Sequence, residues 1–87
     1  MKKVLVLCGS MERCREYFYT VSSMTNVTKA SGSNLKVWIE DMEYHFVSID
    51  KAESIRGQTY IQVLIDESAS ITEEEKAFYM SRVQATQ

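Results

Sequence analysis

The chain has 87 residues, of which 45% are hydrophobic and 25% charged, and these proportions are typical of one small globular domain. Its net charge of −2 and its scattered Lys and Arg residues argue against nucleic acid as the ligand, because phosphate binding needs clustered basic side chains. No apolar run reaches the roughly 20 residues that span a bilayer, or the roughly 7–15 of a signal-peptide core. We expect one cytoplasmic domain over residues 1–87, with no membrane partner.

The first predicted element is a strand over residues 3–7, KVLVL, a continuous apolar run typical of a strand buried on both faces. Gly9 ends the run, and Ser10 can cap the helix that follows. Apolar residues in this helix recur every three or four positions and predict a buried stripe, comprising Met11, Cys14, Phe18 and Val21. The charged residues off the stripe are expected to be solvated; they are Glu12, Arg13, Arg15 and Glu16.

The middle of the chain predicts a connector and then a β-hairpin. Residues 28–34, TKASGSN, are mostly small and polar, with Gly32 as the turn point. Residues 35–39 and 44–49 are strand-like, and the four residues between them predict the hairpin loop. We expect this hairpin to form an edge of the sheet.

The last part of the chain predicts a second buried strand over residues 60–65, YIQVLI, and a final helix. Thr72 and Glu75 have the spacing of a capping box at the start of that helix. Its inward-facing stripe is predicted to be Ala77, Met80 and Val83.

Together these elements predict an α/β fold with two main helices and a small Rossmann-like or P-loop-like sheet of about four strands. Two parallel central strands, residues 3–7 and 60–65, would lie side by side next to the hairpin.

The clearest chemical pattern is the acidic pair Asp66-Glu67, which directly follows the strand over residues 60–65. A Walker B site needs a carboxylate at the C-terminal tip of a buried parallel strand, where it holds Mg²⁺ beside nucleotide phosphates. A following Glu can polarise the attacking water. An acidic pair after a strand is also common as a helix-capping turn, so the pattern alone leaves both interpretations open.

Over about residues 3–71 the chain resembles the ATPase core of phage terminase large subunits and related helicase-like P-loop enzymes. The segments that carry this resemblance are VLVLCGSMERCREYF, LKVWIEDMEYHFVSI, the Arg56-Gly57 pair and DESAS. The resemblance implies that Asp66 is the Mg²⁺ ligand and Glu67 the catalytic carboxylate. It also implies an anion or nucleotide contact at Arg56 and Gly57.

The Walker A half of such a site is missing from the sequence. A P-loop G-x-x-x-x-G-K-[ST] holds the phosphates with backbone N–H groups and its Lys, but no glycine here is followed by Lys-Ser or Lys-Thr. We therefore expect a non-catalytic, phage-type protein of the host cytoplasm that binds a protein partner, in a host or viral nucleic-acid or defence machine. It would need no cofactor, and Mg²⁺ and ATP would enter only if a partner chain supplied Walker A. An open sheet edge would favour a homo-oligomer.

A second chemistry starts from Cys8, a reactive-thiol candidate placed between a strand end and a helix N-terminus, where the helix dipole lowers a thiol pKa. The segment VLVLCGSMERCR resembles the phosphocysteine loop of sugar phosphotransferase B subunits, and more distantly the C-x-x-x-x-x-R loop of low-molecular-weight tyrosine phosphatases. It departs from the phosphatase pattern because Cys14 occupies the Arg position. This resemblance implies a phosphocarrier or phosphatase-like enzyme; the alternative is a buried Cys that packs as a small hydrophobe.

Three aromatic residues are candidates for a protein interface: Trp38 and Tyr44 on the hairpin, and Tyr17 on the first helix. Core packing is the competing interpretation for each of them. The single histidine, His45, lies mid-strand and is expected to face solvent or to be hydrogen-bonded within the sheet, rather than to act as a base.

Overall fold

A computed structural model describes residues 2–51 and 58–81 of the chain. Within these ranges the chain forms five strands and two helices. They are β1 (Lys2–Cys8), α1 (Met11–Ser22), β2 (Val27–Ser31), β3 (Lys36–Ile39), β4 (Met42–Ser48), β5 (Gln62–Ile65) and α2 (Glu73–Met80). Neither helix combines the length and the apolar character that a membrane crossing requires.

The strands form one mixed sheet in the order β2-β3-β4-β1-β5. Strand β1 is parallel to both of its neighbours, with Val4 opposite Gln62 in β5 and Lys2 opposite Met42 in β4. The predicted α/β class and the parallel pairing of residues 3–7 with 60–65 are therefore confirmed. The remaining pairs, β2 with β3 and β3 with β4, are antiparallel.

Strand β2 raises the strand count above the predicted four, because most of it falls in the segment expected to be a connector. It pairs with β3 from Val27 opposite Ile39 to Ser31 opposite Lys36. Val27 and Thr28 favour a strand, but Lys29, Ala30 and Ser31 have a weaker intrinsic preference, so pairing with β3 determines the conformation of this second half.

The hairpin between β3 and β4 also differs from the prediction. Ile39 lies opposite Met42, so the loop contains only Glu40 and Asp41 rather than four residues. Glu40 has a φ of 56°, the left-handed conformation that tight two-residue hairpin turns use. Because β4 pairs with β1 on its other side, it lies inside the sheet, and the edge strands are β2 and β5.

Each face of the sheet buries its own apolar cluster. The α1 face contains Val4, Val6, Cys8, Cys14, Phe18, Leu35, Val37 and Phe46. The opposite face contains Leu5, Leu7, Val47, Tyr60, Val63 and Tyr79. Strand β1 contributes to both clusters, which confirms that it is buried on both faces. The stripe of α1 is also confirmed, since Cys14 and Phe18 are its buried residues.

The start of α2 is as predicted, but its buried side is not. Thr72 and Glu75 form the reciprocal capping box, with N···O distances of 2.9 and 3.1 Å. The buried residue of the helix is Tyr79, whereas Ala77 and Met80 are exposed and Val83 lies outside the described residues. A buried tyrosine ring removes more apolar area from water than an alanine does, which favours this orientation.

Candidate functional site

The loops after β1 and β5 meet at the edge of the sheet where these parallel strands end. The backbone N–H of Asp66 donates to the carbonyl of Leu7 over 2.8 Å, which continues the ladder past the end of β5. The N–H of Gly9 donates to Ser68 Oγ over 3.0 Å. A Cβ at Gly9 would collide with the backbone carbonyl of Ser68, so this close approach requires glycine.

Asp66 lies at the centre of this contact and accepts hydrogen bonds from three residues. Its Oδ1 accepts from the hydroxyl of Tyr17. Its Oδ2 accepts from the N–H of Ser68 at 3.0 Å, from the hydroxyl of Ser68, and from Arg13 Nε at 3.5 Å. A carboxylate offers about four lone-pair sites, and the Asp66 side chain is only 6% exposed. We call Arg13, Tyr17, Asp66 and Ser68 the Asp66 cluster.

The cluster stabilises the charged form of Asp66. Hydrogen bonds from Ser68 and Tyr17, supported by the positive charge of Arg13, hold the pKa of Asp66 well below its usual value. The hydrogen bond that Tyr17 donates to Asp66 also raises the pKa of Tyr17, because an ionised phenol has no proton to donate. Arg13 lies 4.9 Å from the centroid of the Tyr17 ring and also pairs with Glu16 at 3.1 Å. Asp66 is therefore an ionised, internally bonded carboxylate.

The residues present do not fit the magnesium site that a Walker B strand implies. A magnesium ligand needs an oxygen atom that faces the metal or its water shell, whereas Oδ2 of Asp66 already accepts three protein hydrogen bonds and Oδ1 accepts one. Glu67 is exposed. Across residues 2–51 and 58–81, no three His, Cys, Asp or Glu side chains lie close enough together to hold a metal ion. Arg56 and Gly57 lie outside the described residues.

A groove runs beside the cluster on the α1 face. Its polar end, about 430 Å³, contacts Arg13, Tyr17, Asp66 and Glu67. Its apolar end, about 280 Å³, is lined by Val6, Tyr17, Val21, Met24, Ile39, Tyr44, Phe46 and Leu64. We call the apolar end the β5 groove. Two of the interface candidates, Tyr17 and Tyr44, therefore line one surface.

Cys8 is in a different environment from the one predicted for a reactive thiol. It is fully buried next to Cys14. Burial, reinforced by the neighbouring thiol of Cys14, raises the pKa of Cys8 to about 12, so the predicted lowering of its pKa is wrong. One backbone donor at the start of α1 is occupied by its own cap, since Ser10 Oγ accepts from Arg13 N at 3.2 Å.

The third interface candidate, Trp38, belongs to a polar group on the sheet face opposite α1. Its Nε1 donates to Glu43 Oε1 over 3.2 Å, and Lys29 Nζ lies 5.1 Å from its ring centroid. Lys36 Nζ lies 3.7 Å from the other carboxylate oxygen of Glu43. These contacts hold the half-buried ring of Trp38 on the hairpin, on the opposite face of the sheet from Tyr17 and Tyr44.

His45 is half-buried, and its Nδ1 is enclosed without a hydrogen-bond partner among the described residues. Burial, together with the nearby charges of Lys36 and Lys3, lowers the pKa of His45. The prediction of a hydrogen-bonded or solvent-facing histidine is therefore wrong at Nδ1.

Sequence reasoning found Asp66 but missed the residues that hold it. The position of Arg13 off the apolar stripe of α1 predicts a solvated side chain; that side chain is 43% exposed, and its Nε lies 3.5 Å from Asp66 Oδ2. Ser68, two positions after an Asp, has the spacing of an Asx turn and could have been found locally. Tyr17 lies 49 positions from Asp66 and had no local signal.

The comparisons with known proteins found no match to this chain among protein families, curated proteins or solved structures.

Proposed function

We propose that this chain is a non-catalytic α/β protein that acts by binding another protein, with a fold similar to a P-loop ATPase core without its Walker A half. The observation that carries the proposal is the state of Asp66. Four hydrogen bonds from Arg13, Tyr17 and Ser68 converge on its carboxylate. A carboxylate bonded in this way contributes to the stability of the fold, and its side chain is only 6% exposed to an entering ion.

The β5 groove supports protein binding as the activity. Its side chains are almost entirely apolar, and Leu64 and Met24 are 42% and 51% exposed. Contiguous exposed apolar surface on a small protein is typical of an interaction site. Tyr17 and Tyr44 add aromatic rings of the kind that are enriched at such interfaces.

The phage-type origin rests on the sequence resemblance. Strand β5 pairs in parallel with β1 and ends at Asp66, the residue that the resemblance assigns as the Mg²⁺ ligand. On that basis the partner belongs to a host or viral nucleic-acid or defence machine in the host cytoplasm.

The proposal is tested by measuring ATP hydrolysis by the purified chain in the presence of Mg²⁺. We expect the wild-type chain and the Asp66→Asn variant to give the same background rate. Hydrolysis that is present in the wild type and lost in Asp66→Asn would overturn the proposal. Nucleotide binding that appears only after a second protein is added would replace it with a shared site, for which the partner supplies Walker A.

A further inference from the structure

The two edges of the sheet differ in how well they are protected from pairing with another strand. Strand β2 contains Lys29 and a register shift between Val27 and Lys29, and both features discourage edge-to-edge association. Strand β5, with the sequence QVLI, contains no charge and no proline. In the described part of the chain it pairs only with β1. It is therefore the edge open to a further strand.

The backbone of β5 presents hydrogen-bonding groups at regular spacing along this edge. The N–H of Asp66 points inward, because it donates to Leu7 in β1. Within the regular strand, peptide groups of successive residues point to alternate sides, so those of Leu64 also point inward; this alternation begins after Ile61, whose N–H likewise donates to β1. The N–H and C=O groups of Val63 and Ile65 point outward. Two donors and two acceptors are thus available to a further strand.

We propose that a second copy of this chain pairs with β5, antiparallel and about a two-fold axis that passes beside Leu64. This inference deepens the proposed function by naming the protein partner, and it rests on that function. Val63 lies opposite Ile65 of the second copy, and Ile65 opposite its Val63. Each of these two pairs exchanges both of its hydrogen bonds, so that all outward groups of both strands are used.

The side chains agree with this register. An antiparallel pair places directly opposite residues on the same face of the sheet. Leu64 then lies opposite Leu64 of the second copy in a non-hydrogen-bonded pair, where side chains are closest. Leu64 is 42% exposed and lines the β5 groove. The contact removes both leucines from water and joins the two grooves on one face.

The charges at the ends of the strands favour the antiparallel arrangement over the parallel one. The basic residues Lys2 and Lys3 begin β1, whereas Asp66 and Glu67 follow β5. In the proposed register Glu67 lies opposite Ile61 of the second copy, whose N–H donates to the carbonyl of Lys3. Each acidic end therefore lies two strand spacings, about 10 Å, from a basic end. Parallel pairing would bring the two acidic ends together.

The register is tested by oxidative cross-linking of two single-cysteine additions, Leu64→Cys and Gln62→Cys, with the wild-type chain as the blank. The two thiols introduced by Leu64→Cys would lie within disulfide distance, and we expect a covalent dimer as the main product. Gln62→Cys is the matched control, because it is exposed and lies on the same strand and face. Its copies would be about 13 Å apart in this register and should not cross-link. Efficient cross-linking of Gln62→Cys instead of Leu64→Cys would overturn the proposal.

The association itself is measured by size-exclusion chromatography with light scattering over a series of concentrations. We expect a species of twice the 10.0 kDa chain mass. Leu64→Lys places like charges opposite each other and should weaken the dimer at least about tenfold. Ala30→Lys, at an exposed position on the other edge strand, should not. Circular dichroism verifies that both variants fold.

A wild-type chain that stays monomeric at every concentration would overturn the proposal, as would a dimer that survives Leu64→Lys. A monomer that binds a different protein, and loses that binding in Leu64→Lys, would overturn self-pairing and leave the proposed function in place. ATP hydrolysis that depends on Asp66, by a dimer that Leu64→Lys disrupts, would overturn the proposed function and leave the self-pairing in place.

Discussion

Tyr17, in the middle of α1, donates its hydroxyl to Asp66, which lies 49 positions later at the end of β5. This hydrogen bond joins the helix that covers one face of the sheet to the loop at the sheet's C-terminal edge. Asp66 is the residue that sequence resemblance assigns to magnesium, and in the structure its carboxylate accepts hydrogen bonds from both α1 and its own loop.

Replacing Asp66 with asparagine should lower the free energy of unfolding by about 2 kcal/mol, because an amide NH₂ would face donors of Ser68 or Arg13 where the carboxylate accepts from them. Urea denaturation monitored by circular dichroism measures this loss. The control is Glu67→Gln, which makes the same change at an exposed neighbour and should shift stability by less than about 0.5 kcal/mol. Equal effects of the two variants would show that the Asp66 cluster is not stabilising.

The stability that depends on Asp66 should disappear in acid. The pKa of Asp66 is lower in the fold than its ordinary value of 3.8, so its contribution is fully present above that value and is lost as the pH falls below it. The difference in stability between the wild type and Asp66→Asn, recorded between about pH 6 and about pH 2, should therefore narrow as the pH falls below 3.8. A difference that stays constant over this range would contradict the assigned ionisation.

Two glycine substitutions should differ sharply in effect. The Cβ of Gly9→Ala would collide with the backbone carbonyl of Ser68 and force the two loops apart. We expect it to cost about 2 kcal/mol or more in thermal or urea unfolding. The Cβ of Gly32→Ala would meet only ring atoms of Phe18 at 3.9 Å, an ordinary contact. That variant should be nearly neutral, and a similar loss from both would argue against the contact between the loops.

Cys8 should resist alkylation in the native protein. It is fully buried and its pKa is raised to about 12, so the thiolate that attacks iodoacetamide is scarce at neutral pH. Mass spectrometry should find Cys8 unmodified in buffer and alkylated after denaturation in urea. Rapid native modification near pH 6 would instead support the phosphocarrier or phosphatase-like alternative.

The elements that could be predicted from sequence are those whose burial determines their pattern. Strand β1 is buried on both faces and reads as a continuous apolar run, and the stripe of α1 repeats with the helical period. The residues of β2 are mainly intermediate or exposed and carry no such pattern. Their strand conformation depends on β3, a partner that a local window does not contain.

The site shows the same division between local and long-range information. The position of Asp66 at a strand tip follows from the apolar run before it. Its environment depends on the packing of α1 against the sheet, because α1 carries Arg13 and Tyr17, which contact Asp66 at the end of β5. Helical periodicity places Arg13 on the solvated side of the helix, but it does not show that the guanidinium contacts the carboxylate of Asp66.

The most direct test of the structural role of Asp66 is a double-mutant cycle between Tyr17→Phe and Asp66→Ala, with the free energy of unfolding measured for all four proteins. If the hydroxyl of Tyr17 is bonded to the carboxylate, the two losses should be coupled by at least about 1 kcal/mol. Losses that add to within about 0.3 kcal/mol would show that the two side chains act independently, and would contradict the account.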